Sequence, residues 1–531
     1  MPSRPKITIS KETTYVTEPL RADGYVDYLA AINRRCSEGV TPKNNAAIPF
    51  WQAFGPKEID KEIRGRYFKL LGIPELPEEG PYLVSFDEYL PLYKGWKQPG
   101  GDTPEDNAWF HDVSEQYGQA KSGPWSKEEF PVVAGLLEKN DSPLQTLVDG
   151  LRRPRLYSPV VASGDAGLFN LLPMMASPRE AARQLTARAM LRLHEGRVAE
   201  AWQDIFACHR LARLVGQRPL LVDGLVAVAY EGIACSATVA FAQQGNLTAE
   251  QARQSLDDLQ RLPKKWTFRE KLDYGERVWL LGTILMMANG AYQEHQVEFD
   301  DPVMADLFAE LRKAQEPWQK ARKRLISDPG LNWDQALRHF NAWYDRIVAA
   351  YGKPTYAERR EASDATTSQL RQLSDQVLKH TPETNPPQPQ MLLMTIAEQF
   401  AILELGECAP SISTGALIEA KSQARFGLAR LVLALAGFRH DHGSSPKRLT
   451  DLSPKYIAEV PNDPFADAEL IYKPTADGYL LYSVGPNGKD DGGRNYVQEH
   501  ADDDSEDESA TEEEESWDDI AIRMPPKKAE K

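Results

Sequence analysis

The sequence predicts a mainly α-helical protein with a small α+β module near its C-terminus. Over residues 177–351, apolar side chains recur at three- and four-residue spacing, which is typical of amphipathic helices. Residues 461–493, in contrast, have the pattern of two short antiparallel strands that lead into a glycine-rich loop. With 531 residues, the chain is also too long for one hydrophobic core, so we expect several domains.

Composition and charge place the chain among globular proteins. Apolar residues make up 41% and charged residues 26%, which is typical of a soluble protein. The net charge is −16, and residues 501–531 carry thirteen acids against four bases, so nine of these charges lie there. The remaining 500 residues are mildly acidic and show no basic run. We therefore expect no nucleic-acid partner.

The cysteines and the apolar runs predict neither a metal framework nor a membrane anchor. The four cysteines lie far apart, which does not fit a zinc site or a dense disulfide framework. The longest apolar run, residues 278–288, is shorter than the roughly 20 residues that a membrane span needs. The first ten residues lack an apolar stretch, so no signal peptide is expected and a cytoplasmic location is the default.

The N-terminal third is predicted to be irregular. Residues 1–20 have β-branched side chains without periodicity and are interpreted as an arm. Residues 21–170 alternate short helical patterns with proline-rich connections, which predicts an irregular, mostly helical domain.

Residues 171–352 predict an array of helices. Ser177 is suited to cap a helix because a proline follows it and Glu180 lies three residues later, while Gly196 is suited to end that helix. Further helices follow after short turns, as in antiparallel helical hairpins. The packing is vaguely similar to that of tetratricopeptide proteins, although no 34-residue recurrence is present.

The C-terminal part is predicted to contain a linker, a compact module and a tail. Residues 353–390 are polar and end in a proline-rich stretch, so they are interpreted as a linker. Residues 391–500 form the module, with a long helix at about residues 414–439. Residues 501–531 are predicted to be a disordered acidic tail, since residues 502–519 hold twelve acids.

The module contains four motifs in a fixed order after its long helix. A His-Gly-Ser-Ser-Pro turn at residues 442–446 is followed by Leu-Thr-Asp-Leu-Ser-Pro-Lys-Tyr-Ile at residues 449–457. Asp-Pro-Phe stands at residues 463–465, and Tyr-Ser-Val-Gly-Pro-Asn-Gly at residues 482–488.

Residues 414–493, through these motifs, resemble the globular domain of the major pseudopilin of type II secretion systems. The whole chain also resembles large, uncharacterised bacterial proteins that carry such a module after a helical region. The resemblance implies a long helix packed on an antiparallel hairpin, and a calcium-binding loop after the last strand. Two departures are visible: no apolar prepilin segment precedes the module, and Asn487 stands where the family usually has a calcium-binding Asp.

The loop at residues 485–493 is the candidate metal site. One interpretation is a calcium ion held by the Val484 carbonyl, Asn487 and Asp490 or Asp491, because calcium prefers oxygen ligands. The other is a glycine-rich strand end whose acids face water. The loop fits neither the EF-hand nor the phosphate-binding loop pattern.

Three classes of function remain open. The first is a non-enzymatic structural or interaction protein, with proteins as partners and calcium as the ion. The second is an enzyme whose active site lies between the N-terminal domain and the helical array, for which His209, Asp204 and Glu231 are candidates. The third is a tetratricopeptide-like adaptor that binds peptides. Adjacent His440, Asp441 and His442 could also be interpreted as a metal pair or as the polar end of a helix.

Overall fold

A computed structural model describes residues 5–95, 103–161, 177–290, 316–379, 394–496 and 516–525. Over these residues the protein is mainly helical with a small antiparallel sheet, as the sequence predicts. The predicted arm, residues 1–20, is described from residue 5 onward and contains no regular helix or strand.

Seven helices are seen in the described residues of the N-terminal part, 5–95 and 103–161. Most end at a turn that contains proline or glycine, as the composition predicts. They are α1 (Tyr28–Ser37), α2 (Ala47–Phe54), α3 (Lys61–Leu71), α4 (Phe86–Lys94), α5 (Pro104–Gln119), α6 (Pro131–Lys139) and α7 (Asp141–Gly150).

The helical array begins with two helices joined at the predicted glycine turn. They are α8 (Ser177–His194) and α9 (Val198–Val215), and Gly196 lies in the turn between them with a positive φ of 75°. Ser177 is the first residue of α8, and Glu180 accepts hydrogen bonds from Phe86 and Tyr117 of the N-terminal part. The array continues with α10 (Leu221–Gln244) and α11 (Ala249–Gln260). A continuous helical stretch follows, made of α12 (Phe268–Glu270), a π-helical segment (Lys271–Glu276) and α13 (Arg277–Ala288).

Four more helices precede the C-terminal module in the part of the chain that the structure describes. They are α14 (residues 316–326), α15 (Trp333–Tyr351), α16 (Tyr356–Lys379) and α17 (Ile396–Ser413). Helices α15, α16 and α17 pack against one another in pairs.

Helix α16 overturns the linker predicted for residues 353–390. Its buried face includes Ser363, Thr367 and Ser374, polar side chains that hide the helical pattern in the sequence. Each of these hydroxyls donates to a carbonyl three or four residues earlier in the same helix, so each can be buried without an outside partner. The proline-rich part of the predicted linker, residues 381–390, lies outside the described residues.

Helix α18 (Gly415–His442) is the long helix predicted for the C-terminal module. It packs against α10 and α11 on the array side and against the strands on the other side. The strands are β1 (Asn462–Asp463), β2 (Ala468–Glu469), β3 (Ile471–Pro474), β4 (Tyr479–Ser483) and β5 (Ile520–Met524). β1 pairs with β2, and β3, β4 and β5 form an antiparallel sheet in that order.

Strand β5 corrects the prediction that residues 501–531 form only a disordered tail, and it turns the predicted two-stranded hairpin into a three-stranded sheet. Tyr479 pairs with Met524 and Ser483 with Ile520, so β5 covers the whole length of β4. Ile520, Ile522 and Met524 alternate with Ala521 and Arg523, a strand pattern that the preceding acids obscured. Residues 501–515, most of the acidic run, lie outside the described residues.

One buried ionic cluster joins the array to α18. Glu231 of α10 is paired with Arg213 of α9 at 3.0 Å and with Lys265 at 2.5 Å, and it accepts a hydrogen bond from Ser422 of α18. Burial alone would raise the pKa of Glu231, but Lys265 and Arg213 lower it below its ordinary value on balance. The Arg213 guanidinium also lies 4.9 Å from the ring centre of Phe426 on α18.

Helix α10 is the one described helix that is long and apolar enough to cross a membrane, although the sequence predicted no membrane span. Of its most apolar stretch, 56% is buried inside the protein. Its packing against α8, α9 and α18 gives these apolar side chains a place in the core.

We predict that Glu231→Gln strongly destabilises the protein, because it leaves the buried Arg213 and the half-buried Lys265 without their counter-charge. Losing one partner of a buried ion pair costs about 3–5 kcal/mol of unfolding free energy. The matched control is Glu200→Gln in α9, which breaks an exposed ion pair with Arg197 and is expected to cost less than about 1 kcal/mol. Urea denaturation measures both, and equal losses would contradict a joining role for Glu231.

Candidate cation-binding loop

The loop at residues 485–493 begins where β4 ends and folds back onto the segment before β5. Gly485 has a φ of 65°, which favours glycine, and a Cβ there would lie 2.2 Å from the Asp518 carbonyl oxygen. Only a glycine allows the two segments to approach this closely. The loop and residues 518–519 therefore form one site.

Asp463 of the Asp-Pro-Phe motif fixes the start of the loop. One carboxylate oxygen accepts hydrogen bonds from the Ser483 hydroxyl at 2.8 Å and the Phe465 amide at 3.0 Å. The other accepts from the Val484 amide at 2.9 Å. The side chain is only 1% exposed, so this carboxylate positions the loop, a role that the sequence analysis did not identify.

Among the predicted ligands, Asn487 holds the loop together. Its Nδ2 donates to Asp491 Oδ2 at 2.8 Å and to the Ser516 carbonyl at 2.9 Å. Its Oδ1 accepts from the Lys489 amide at 2.7 Å. Both ends of the amide are therefore engaged within the protein.

The predicted ligand Asp490 is likewise engaged. Its Oδ1 accepts from the Tyr482 hydroxyl at 2.6 Å and from the Gly492 amide at 3.0 Å. The hydrogen bond from Tyr482 is the main reason why the pKa of Asp490 lies below its ordinary value.

Two further carboxylates, Asp518 and Asp519, lie against the loop from the other side. The Asp518 carboxylate accepts a hydrogen bond from the backbone N–H of Asn487 at 3.0 Å. Asp519 is fully buried, and its Oδ2 accepts from the Gly493 amide at 2.7 Å. The other oxygen of Asp519, Oδ1, is buried without a hydrogen-bond partner. The sequence analysis did not identify either residue as a ligand, because both stand at the end of the acidic run and were interpreted as part of the tail.

The loop carries more negative than positive charge. Burial, together with the neighbouring Asp491 and Asp490 carboxylates, raises the pKa of Asp519 to about 6. Burial and Asp491 also raise the pKa of Asp518. On the positive side, Lys473 Nζ lies 3.8 Å from Asp490 Oδ2. A bound cation would relieve this repulsion.

The donor set fits a hard cation that also takes carbonyl and water ligands. Carboxylate and backbone oxygens are the ligands that calcium prefers, and the unpartnered Oδ1 of Asp519 is such a donor. Over the described residues, however, no three His, Cys, Asp or Glu side chains are grouped closely enough to hold a metal by themselves. Backbone oxygens and water would have to complete the coordination.

The three residues considered for catalysis lie in the core. Asp204 is paired with Arg188 and Arg192, each at 2.7 Å, and Glu231 belongs to the ionic cluster described above. His209 is 1% exposed, its Nε2 lies 2.9 Å from the Thr238 hydroxyl, and burial lowers its pKa to about 3. All three pack as buried core residues.

The His440–His442 segment forms the end of α18. Asp441 Oδ2 accepts hydrogen bonds from Lys455 at 2.8 Å and Tyr456 at 2.7 Å. The hydrogen bond from Lys455 is the main reason why the pKa of Asp441 lies below its ordinary value. His442 packs on Phe438, with 4.2 Å between ring centres. These contacts support the interpretation as a polar helix end.

Comparisons with protein-family models, with curated proteins and with solved structures found no match to this chain. The likeness to pseudopilins therefore rests on the motifs in the sequence.

We predict that Asp519 makes the protein without calcium less stable as the pH rises. Its pKa is about 6 in the folded chain and 3.8 as an ordinary value, so folding takes up a proton between these values. The stabilisation of the folded chain by protonated Asp519 is complete below the ordinary pKa of 3.8, and it is lost as the pH rises through the folded-state pKa of about 6. Asp519→Asn should remove this loss, so the variant gains stability relative to the wild type between pH 4 and pH 7.

The measurement is urea denaturation at several pH values in the presence of a chelator. Asp477→Asn, in the exposed turn between β3 and β4, is the control and should follow the wild type at every pH. If both variants shift equally, or neither does, Asp519 is not the titrating group.

Proposed function

We propose that this chain is a non-enzymatic structural or interaction protein whose pseudopilin-like module binds one calcium ion at the loop 485–493. The observation that carries the proposal is the meeting of Asp490 and Asp491 with Asp518 and Asp519, with one buried carboxylate oxygen left without a partner. A divalent cation would neutralise part of this charge and satisfy that oxygen.

Within the proposed site the acids have different roles. Asp491 and Asp519 are proposed to supply carboxylate ligands, and Val484 its carbonyl oxygen. Asn487 and Asp490 are proposed to shape the loop, because their side chains already bond to Asp491 and Tyr482. This division explains how an Asn is compatible with calcium at a position where the pseudopilin family usually has an Asp.

A structural role is favoured because the ion would lie between two distant parts of the chain. Residues 485–493 extend from β4, whereas Asp518 and Asp519 lead into β5. Binding of both by calcium would fix β5 onto the sheet and order the surface that the module presents to a partner protein.

The packing of α18 supports a scaffold and not a filament subunit. In this protein α10 and α11 cover α18 on one side, and the sheet covers it on the other. The module is thus docked on its own helical array. The same contact covers a face of the array, which argues against an open peptide-binding groove of the tetratricopeptide kind.

We predict that calcium stabilises the full-length protein and that removing two proposed ligands abolishes the effect. Calcium at roughly ten times its dissociation constant should add about 1.4 kcal/mol to the unfolding free energy. The increase in melting temperature should disappear in the double variant Asp491→Asn with Asp519→Asn. Magnesium should act more weakly, since it gives up its water ligands reluctantly.

Asp477→Asn is the matched control, because it removes a carboxylate from the same sheet outside the loop, and it should keep the full calcium response. No response of the wild type at about 10 mM calcium, well above the range of weak protein sites, would overturn the proposal. An unchanged response of the double variant would place the ion elsewhere.

A further inference from the structure

A cleft of about 600 Å³ lies between the N-terminal helices and the helical array, and its lining residues do not include any from the loop at residues 485–493. Its walls come from α1, the segment after α7, the turn between α9 and α10, and the chain from Pro263 to Gly275. The volume is within the usual range for small-molecule sites.

The cleft is strongly basic in a chain whose net charge is −16. Among the described residues, six cationic side chains line it, against one acidic side chain, Glu270. The six are Arg35, Arg155, Arg218, Lys264, Lys265 and Lys271.

Three of these cations are compensated by carboxylates. Lys264 pairs with Glu270, Lys265 with Glu231 and Arg218 with Asp223. Arg35, Arg155 and Lys271 have no carboxylate within 4 Å among the described residues. The cleft therefore keeps an excess of about three positive charges.

Lys271 is held at the floor of the cleft by backbone carbonyls. Its side chain is 4% exposed, and Nζ donates to the Gly216 carbonyl at 2.6 Å and to the Arg218 carbonyl. An ammonium group has three donors, so one is left for a ligand. Burial lowers the pKa of Lys271 to about 8, which an anion in the cleft would oppose.

The π-helical segment brings Lys271 to this position. Gly275 in the same segment packs so closely that a Cβ would lie 1.9 Å from the Pro219 carbonyl oxygen. Single π-helical turns within α-helices occur frequently at functional sites. Here the turn holds the helix against residues 216–219, whose carbonyls bind Lys271.

Two aromatic rings complete the cleft. The Arg35 guanidinium lies 3.8 Å from the ring centre of Tyr274. The ring orients the guanidinium, and because the ring carries no net charge, the positive charge of Arg35 is not neutralised. Trp266, half-buried, lies beside Lys271, with Nζ 5.2 Å from its ring centre. The rings offer apolar surface to the organic part of a ligand.

We propose that this cleft binds a small organic phosphate with at least two phosphoryl groups, with Arg35, Arg155 and Lys271 as the phosphate-binding side chains. A phosphate monoester carries a charge of about −1.5 to −2, so two phosphoryl groups match the excess charge better than a carboxylate does. Arginine side chains also bind phosphate through two parallel hydrogen bonds. The cleft volume leaves room for an organic group beside the rings.

The test is isothermal titration of the full-length protein with ATP, pyrophosphate and citrate, without divalent cations. ATP and pyrophosphate should bind, and citrate should bind at least about tenfold more weakly, which corresponds to about 1.4 kcal/mol. The double variant Arg35→Gln with Arg155→Gln should weaken ATP binding by at least about tenfold. Both arginines are exposed, so the variant is expected to fold, and its melting temperature checks this.

Arg152→Gln is the matched control, since Arg152 is exposed on the same segment as Arg155 but does not line the cleft. It should bind ATP as the wild type does. The proposal fails if neither ATP nor pyrophosphate binds at about 10 mM, far above ordinary ligand affinities, if citrate binds equally well, or if the double variant keeps wild-type affinity.

Discussion

The arrangement of this protein depends on one buried carboxylate. Glu231 sits at the contact of α9, α10 and α18 and satisfies two cations and a hydroxyl from three different parts of the chain. Buried charges require their partners in precise positions, so this cluster selects one relative placement of α18 on the array. The hydrophobic contacts around it are less directional and would tolerate sliding. The position of the sheet, and of the loop at its end, follows from where α18 is held.

Much of the helical part could be predicted from the sequence because its signals are local. Ser177, Glu180 and Gly196 mark the ends of α8, and an apolar stripe marks α18. Helix α16 could not be predicted in this way. Its buried face contains serine and threonine hydroxyls that bond to their own helix, and a hydrophobicity pattern does not register such residues as core.

Of the candidate site, the sequence predicts the part whose signals are local and not the part that depends on contacts between distant segments. Asp490 and Asp491 follow a strand and a glycine turn, which is local information. Asp518 and Asp519 reach the site only through the pairing of β5 with β4, a contact between segments that are distant in sequence. Inside a run of acids they look like tail residues. The role of Asp463, too, depends on three hydrogen bonds that no spacing rule predicts.

The strand that completes the sheet is also the last of its three strands to be synthesised. Until Ile520–Met524 has emerged, β4 has a partner on one side only, and its other edge exposes unpaired backbone amides and carbonyls. The nascent chain thus carries an open strand edge beside a helix that is already long enough to dock. Acidic residues synthesised just before β5 place a dense negative charge next to that edge, and repulsion between such segments opposes pairing between neighbouring nascent chains.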